Sequence, residues 1–405
     1  MALCIFCDNE LTADTKPEHV LLNALGGRKT TTRVDCSTCN ERFGGTIDAA
    51  IAEQVAVLRN HLQLESGSGK APPGLGRQQA GNETIKINSD GSPELVTKPF
   101  VVTPLGDGRY NLEITARSPE EIEAYIPHIA AQMRMTEETV RAQLRTAQAT
   151  IVSRRPGVIY FHMPLGGAYE CKSLLKSCLV LWATRVGNDE LRSAAYAAAR
   201  DHVTELDRNT APTKPRVTIR IDSRPLPQLE RLKALYGEFF NLIYIRSDAN
   251  GRVVGHFTLY NIISWQFVLA EAGGTPNLKT ALVSDPLDPT NWSDTIADEI
   301  DIDMTWLNNP DFEVSRSHAR VTAAIAKSQQ DGMEREIGRI ADAAFQKHGF
   351  QADAPLRDSA QLRSIIGEIA TRVAHHIVNI PHEEVVTGEA LLDGVKEKQT
   401  QTTTT

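Results

Sequence analysis

The sequence predicts an α+β protein in which a small cysteine-bearing finger precedes an α+β domain with an antiparallel sheet and a helical C-terminal region. Three observations support this fold class. Four of the six cysteines fall within the first 39 residues and form two close pairs. From about residue 84, alternating apolar residues separated by turn signals indicate strands, and from about residue 311 apolar residues recur at helical spacing.

Composition and pattern divide the 405 residues into five segments. A chain of this length is expected to hold about two or three domains, because one compact core rarely grows so large. The second segment is rich in Gly, Pro and Ser, which is typical of a linker, and the last is polar and repetitive. The predicted segments are a finger at 1–64, a linker at 65–83, an α+β recognition or sensor domain at 84–310, a helical region at 311–382 and a disordered tail at 383–405.

Capping and turn residues place the main elements of the later segments. Thr136 is expected to cap a helix that runs to about Ala149, because a hydroxyl just before a helical stretch accepts a backbone N–H. The apolar stretch 169–186 predicts a well-buried helix. Asn250 and Gly251, which stand between two apolar runs, predict a β-hairpin.

The net charge is −8, which by itself disfavours tight nucleic-acid binding, but the charge is unevenly distributed. Residues 131–200 hold ten Lys or Arg against five acids, whereas residues 271–317, of which 271–310 look irregular, hold ten acids against two basic residues. Solvated helix faces and an acidic loop explain this pattern as well as a phosphate-binding track does. The candidates for phosphate contacts are the basic residues from Arg141 to Lys176, with Arg216, Arg220 and Arg224.

The sequence also bears on the compartment. It contains neither the roughly 18 consecutive apolar residues of a bilayer-spanning helix nor the basic and apolar start of a secretion signal. Six cysteines in such a chain do not indicate a disulfide framework. We therefore expect a cytoplasmic protein with reduced thiols and no membrane partner.

The paired cysteines are the most informative motif. Cys4 and Cys7 form one Cys-x-x-Cys knuckle, Cys36 and Cys39 form another, and 28 residues separate the two. Two such knuckles offer four thiolates, which suits tetrahedral zinc, although an iron–sulfur site or unrelated thiols are the alternatives. A segment this short cannot build its own core, so a structural zinc would supply its stability, at about 10–16 kcal/mol in comparable modules.

Three other side chains of the finger are suited to chemistry. Glu18 and His19 lie between the knuckles, and Asn40 directly follows the fourth cysteine. A carboxylate and an amide oxygen are hard ligands of the kind that Mg²⁺ or Mn²⁺ prefers. An imidazole beside them can accept a proton from water near neutral pH. If zinc draws these groups together, they form a plausible phosphodiester-cleaving site.

At these residues the sequence resembles the HNH (His-Me finger) endonucleases, especially the branch that includes phage endonuclease VII. The resembling segments are the cysteine knuckles, PEHVLLNALGG at 17–27 and CSTCN at 36–40. The resemblance implies a ββα-metal finger, in which a β-hairpin and a helix surround one catalytic metal and four cysteines hold a zinc beneath it. It implies that Glu18 and Asn40 bind the catalytic Mg²⁺ or Mn²⁺ and that His19 is the general base. The implied reaction is single-metal hydrolysis that leaves 5′-phosphate and 3′-hydroxyl ends.

The match has limits and departures. It covers about 48 of the 405 residues. The first metal ligand is Glu18 where Asp is more common, and Leu22 stands where a Pro is common. The middle Asn of the family motif is missing near Thr32, Arg33 and Val34, and since that residue mainly braces the hairpin, its absence bears on efficiency more than on identity.

Three classes of function remain open. The first is a DNA endonuclease in a restriction or phage-defence setting, with DNA favoured over RNA. The second is an effector nuclease whose later domain senses a small molecule or protein activator, and the third is a non-catalytic zinc module that binds nucleic acid or protein. Cleavage separates the third class from the others, and dependence on an added activator separates the second from the first. An oligomer is possible in each case.

Several other groups fit structural roles better than functional ones. Asp48, shortly after the second knuckle, either braces the finger or caps the following helix, and the cap is slightly favoured. The His375-His376 pair lies in an apolar-patterned helix, where packing is the commoner role of histidine. Cys171 and Cys178 are expected to be buried free thiols.

Overall fold

The computed structural model describes residues 2–116, 119–153, 155–161, 166–206, 217–224, 226–288, 290–308, 314–349, 359–389 and 392. The chain folds into two compact units, each assembled from separated segments. The first unit comprises Met1–Leu75, Asn88–Gly91 and Phe161–Gly332, and the second comprises Gly76–Ile87, Ser92–Tyr160 and Met333–Thr405. Helix and sheet are mixed in the protein, as the sequence predicts.

The N-terminal segment forms a two-stranded hairpin and three helices. Its elements are β1 (Glu18–His19), β2 (Thr30–Thr31), α1 (Ser37–Gly44), α2 (Ile47–Gln54) and α3 (Ala56–Leu62). The first helix starts directly after Cys36, which is its N-cap residue. The chain from Ile47 to Leu62 forms two short helices, α2 and α3, which meet at Val55.

The following segment belongs mostly to the second unit. Its elements are β3 (Leu75–Ala80), β4 (Glu83–Ile87), β5 (Pro93–Leu95), β6 (Phe100–Gly106), β7 (Arg109–Ile114), α4 (Pro119–Met133), α5 (Glu137–Thr146) and β8 (Gln148–Ser153). The Thr136 cap is confirmed, since its hydroxyl accepts from the backbone N–H of Thr139 at 3.2 Å. The linker predicted at 65–83 contains β3, which forms a three-stranded sheet with β4 and β5.

The central part of the first unit is a six-stranded antiparallel sheet with helices before and within it. Its elements are α6 (Ala168–Val186), α7 (Asn188–Arg192), α8 (Ala197–Thr204), β9 (Ile219–Ile221), α9 (Pro227–Tyr236), β10 (Asn241–Ser247), β11 (Val253–Leu259), β12 (Ile263–Ala270), β13 (Lys279–Ser284) and β14 (Trp292–Ser293). The strand order is β14-β13-β10-β11-β12-β9. The buried helix over 169–186 and the hairpin at Asn250-Gly251 are both confirmed.

The C-terminal segment is helical, as predicted. Its elements are α10 (Val314–Lys347), α11 (Ser359–Val378) and β15 (His382–Thr387), which pairs with β8 in the second unit. The predicted disordered tail starts at 383, so its first residues differ from expectation, because residues 383–387 pair with β8 as part of β15. Residues 390, 391 and 393–405 lie outside the described part of the chain. Among the described helices, none combines the length and apolar character needed to cross a membrane.

The finger and the six-stranded sheet share one hydrophobic core. Val20 and Phe43 of the finger, Leu175 of α6, and Phe257 and Trp265 of the sheet belong to the same buried cluster. A module of this size has too little apolar surface to bury alone, and α6 supplies the surface that it lacks. The predicted boundaries at 64 and 84 therefore do not coincide with the two compact units, because the finger packs with residues 161–332.

Candidate active site

The four predicted zinc ligands are brought together. The sulfur atoms of Cys4, Cys7, Cys36 and Cys39 all lie within 4.8 Å of one another, and the Cys7 and Cys36 sulfurs are 3.6 Å apart. Four thiolates bound to one Zn²⁺ at about 2.3 Å would stand about 3.8 Å from each other. The cluster therefore has the spacing and the donor chemistry to hold zinc.

The thiols of this cluster differ in pKa. The hydrogen bond with Cys39 lowers the pKa of Cys4 to about 5, although burial opposes this effect. The same bond, followed by burial, raises the pKa of Cys39. A buried thiolate held by a thiol and by the backbone N–H of Phe6 is a site that a soft cation can stabilise, since zinc binding replaces thiol protons.

The first knuckle is fastened to the rest of the first unit through its backbone. The guanidinium of Arg192, at the end of α7, donates to the carbonyl oxygens of Cys4 and Cys7 at 2.5 Å each and to Asp8 at 2.6 Å. The amide of Asn188, at the start of α7, donates to the carbonyl oxygens of Leu3 and Arg33. The cysteine cluster is thus tied to a helix more than 150 residues later in the chain.

The hairpin places Glu18 and His19 on adjacent positions of β1. Glu18 pairs with Thr31 and His19 with Thr30 of β2. The connection turns back at Gly26, whose φ of 92° is a left-handed conformation that favours glycine. Gly27 follows in the chain and donates its backbone N–H to the carbonyl oxygen of Leu22.

The second glycine of this turn has no room for a side chain. A Cβ atom on Gly27 would lie 1.7 Å from the carbonyl oxygen of Leu21, which is backbone and cannot move aside easily. We expect Gly27→Ala to lower the free energy of unfolding by about 3 kcal/mol, because the hairpin must open to admit the methyl group. Urea unfolding of the purified protein measures this. Gly44→Ala is the matched control, since nothing lies within 4 Å of its Cβ position, and equal stability of the two variants would contradict the prediction.

Glu18 is buried and held by a lysine from α6. Its exposed fraction is 4%, and its Oε1 accepts from the Lys176 ammonium at 2.7 Å. Burial raises the pKa of Glu18, and the nearby Lys176 charge only partly offsets this. The predicted metal ligand is therefore already bound to one cation of the protein itself.

The same ammonium bonds a second acid. Lys176 donates to Oδ2 of Asp48 at 2.5 Å, and the hydroxyl of Ser173, one turn earlier on α6, donates to Oδ1 of Asp48 at 2.5 Å. The N-cap of α2 is Thr46, not Asp48. Asp48 thus braces the finger against α6, and the cap that the sequence slightly favoured is wrong.

His19 and Asn40 complete the predicted trio. Burial, and next the Lys176 charge, lower the pKa of His19, so its imidazole is uncharged near neutral pH. Asn40 lies in the first turn of α1, and its Nδ2 donates to the carbonyl oxygen of Pro17 at 3.2 Å, which leaves Oδ1 as the acceptor end of the amide. Since Pro17 directly precedes Glu18, this bond ties the Asn40 amide to the strand that carries the other two groups.

One further acid lies near this site and was missed from the sequence. Asp35 has no exposed surface, and neither of its carboxylate oxygens has a hydrogen-bond partner within the described residues. Burial, with the nearby Glu18 charge next, raises the pKa of Asp35 to about 8. Nothing in the sequence distinguishes Asp35 from a surface acid beside Cys36.

Among the basic residues predicted to contact phosphate, some are buried or ion-paired and others lie outside the described residues. Lys172 and Lys176 are 4% and 1% exposed, so both are buried and neither can meet a nucleic-acid backbone. Their helical spacing was compatible with a surface track, but α6 is buried on nearly all sides. Arg224 forms a two-bond ion pair with Asp222 at 2.9 and 2.8 Å. Two other basic candidates lie outside the described residues, namely Arg154 and Arg216.

Comparison with known proteins agrees with this geometry. A family model described as HNH endonuclease matches residues 4–56, the segment that holds the cysteine cluster, the hairpin, α1 and α2. The match covers the finger only and supports a nuclease and nucleic-acid binding. No curated protein and no solved structure gave a significant match.

Proposed function

We propose that this protein is a metal-dependent endonuclease that hydrolyses phosphodiester bonds of DNA with an HNH-type finger. The observation that carries the proposal is the joining of Asn40 to the backbone of Pro17. It connects the helix that starts at the second cysteine knuckle with the strand that bears Glu18 and His19. A carboxylate, an amide oxygen and an imidazole thereby belong to one small structural unit, which the family match also covers.

Each of the three side chains has a distinct role in this proposal. Glu18 and Asn40 bind the catalytic Mg²⁺ or Mn²⁺ through oxygen atoms. His19 accepts a proton from the attacking water, for which its neutral imidazole is suited. When bound, the divalent ion supplies stabilisation for the negative charge that builds up on the phosphate and the leaving oxygen. The four cysteines and their zinc hold α1 and the hairpin in place.

A second candidate is an effector nuclease that is switched on by a ligand or partner. The shared core favours it, because α6 contacts both the finger and the six-stranded sheet. Cys178 of α6 lies against Gly255 of β11, so tightly that a Cβ on Gly255 would stand 3.1 Å from the Cys178 sulfur. A displacement of β11 on ligand binding would therefore also displace α6, the helix whose Lys176 holds Glu18. A restriction or phage-defence role suits both candidates.

A plasmid-cleavage assay tests the proposed activity. We expect the purified protein to nick or linearise supercoiled DNA in Mg²⁺ or Mn²⁺, and EDTA followed by excess Mg²⁺ should abolish and then restore cutting, because structural zinc is retained far longer than a weakly held hard cation. DNA that is bound but never cut in either metal would instead assign a non-catalytic zinc module. Cutting that persists in EDTA would contradict the metal-dependent mechanism.

A further inference from the structure

A buried cation of the protein itself occupies one side of the candidate metal ligand. Lys176 is 1% exposed, and its ammonium lies 2.7 Å from Glu18 and 2.5 Å from Asp48. The ring of Phe43 lies beneath it, with the ring centroid 5.6 Å from Nζ. A lysine is almost never buried so fully unless it is paired, and these two acids are its partners.

Lys176 bonds only one of the two carboxylate oxygens of Glu18. Lys176 bonds Oε1, and among the described residues no hydrogen-bond donor reaches Oε2. Glu18 and Asp48 together carry two negative charges when ionised, against one positive charge on Lys176. An uncompensated negative charge in a buried site is costly, so this site attracts a further cation.

The Lys176 ammonium also repels such a further cation. A divalent ion on Oε2 and the ammonium on Oε1 would share one carboxylate, and like charges this close repel, most strongly where water is excluded. Lys176 also orders the Glu18 side chain, which favours binding of the ion. This effect is smaller than the repulsion, because only a few rotatable bonds are fixed.

We propose that Lys176 is a positioning residue of the metal site, which holds Glu18 by Oε1, directs Oε2 toward the divalent ion, and keeps the affinity for that ion low. The inference rests on the proposed role of Glu18 as a metal ligand. It assigns to α6, which lies outside the residues of the family match, a part in setting the metal requirement. A protein with such a lysine needs a higher concentration of free Mg²⁺ or Mn²⁺ than the same site without it.

Binding of Mn²⁺ by the full chain, followed by electron paramagnetic resonance of the free ion without DNA, tests the inference. We expect Lys176→Met, which keeps the length of the side chain but removes its charge, to bind Mn²⁺ at least about tenfold more tightly. Lys176→Arg should stay near the wild-type affinity, because it keeps the charge. Cys171→Ser is the control on the same helix, because Cys171 contacts neither Glu18 nor Asp48 in the described structure, and it should leave Mn²⁺ binding unchanged.

A second pair of variants guards against a folding failure of Lys176→Met. Lys176→Met with Asp48→Asn removes the ammonium and one of its two acids together, so that no uncompensated Asp48 charge remains. Compared with Asp48→Asn alone, this double variant should again bind Mn²⁺ more tightly. Weaker or unchanged binding in both comparisons would overturn the inference, since a purely structural lysine would disorder Glu18 when lost.

One further variant separates the inference from the proposed function. Glu18→Gln should weaken Mn²⁺ binding in the otherwise wild-type chain. If it does not, Glu18 is not a metal ligand, and the proposed function fails together with the role of Lys176. If Glu18→Gln weakens binding but Lys176→Met does not tighten it, the proposed site stands and only the inference fails.

Discussion

Replacing His19 by alanine is expected to lower the rate of plasmid cleavage by about 1,000-fold, because the attacking water loses its proton acceptor. The variant should keep its fold, since His19 is only half-buried and does not belong to the cysteine cluster that is expected to bind zinc. Single-turnover cleavage at saturating Mg²⁺ measures the chemical step without a contribution from product release.

Two controls make the His19 result specific. Zinc content and the melting temperature of His19→Ala should match those of the wild type. His128→Ala changes an exposed histidine of α4 in the second unit and should cut at the wild-type rate. Cutting by His19→Ala within a few-fold of the wild type would remove this residue from the proposed mechanism.

Removing one zinc ligand is expected to have the largest effect on stability. Zinc binding in comparable modules contributes about 10–16 kcal/mol, which matches or exceeds the net stability of most domains. We expect Cys39→Ser to lose its zinc and to unfold the finger, since the cluster anchors the start of α1. Metal analysis of the purified protein and limited proteolysis within residues 1–64 measure the two consequences.

The chain offers a matched control for the zinc ligand. Cys171 is a half-buried free cysteine of α6 that does not belong to the cluster. Cys171→Ser should therefore keep about one zinc per chain and resist proteolysis as the wild type does. Full zinc content in Cys39→Ser, or an intact finger without zinc, would show that the cluster does not have the predicted structural role.

Local patterns predicted the features that depend on neighbouring residues. The two Cys-x-x-Cys knuckles come together, Glu18 and His19 share a strand, and Asn40 lies in the first turn of a helix. The sequence displays each Cys-x-x-Cys spacing directly, whereas the hairpin and helix around Glu18, His19 and Asn40 are what the resemblance to HNH endonucleases implied. The hairpin at Asn250-Gly251 and the Thr136 cap were predictable because turn and capping residues act within a few positions of the chain.

The environment of the site depends on distant residues, and the sequence could not reveal it. Lys176 reaches Glu18 and Asp48 across 158 and 128 residues, and no periodicity connects positions so far apart. The lysine therefore looked like one of several surface cations. A usable signal existed, because a lysine within an otherwise apolar buried helix requires an acid partner, but the pattern did not name that partner.

The dependence of Glu18 on α6 also limits how this finger can evolve or be engineered. Grafted onto another protein, residues 1–64 would carry Glu18 and Asp48 without the ammonium that pairs with both, and the apolar flank of Phe43 would face water. Recombination could exchange such a segment only together with the helix around Lys176. The nuclease segment of this chain therefore cannot be transferred to another protein by itself. It has to be kept together with α6 and the six-stranded sheet.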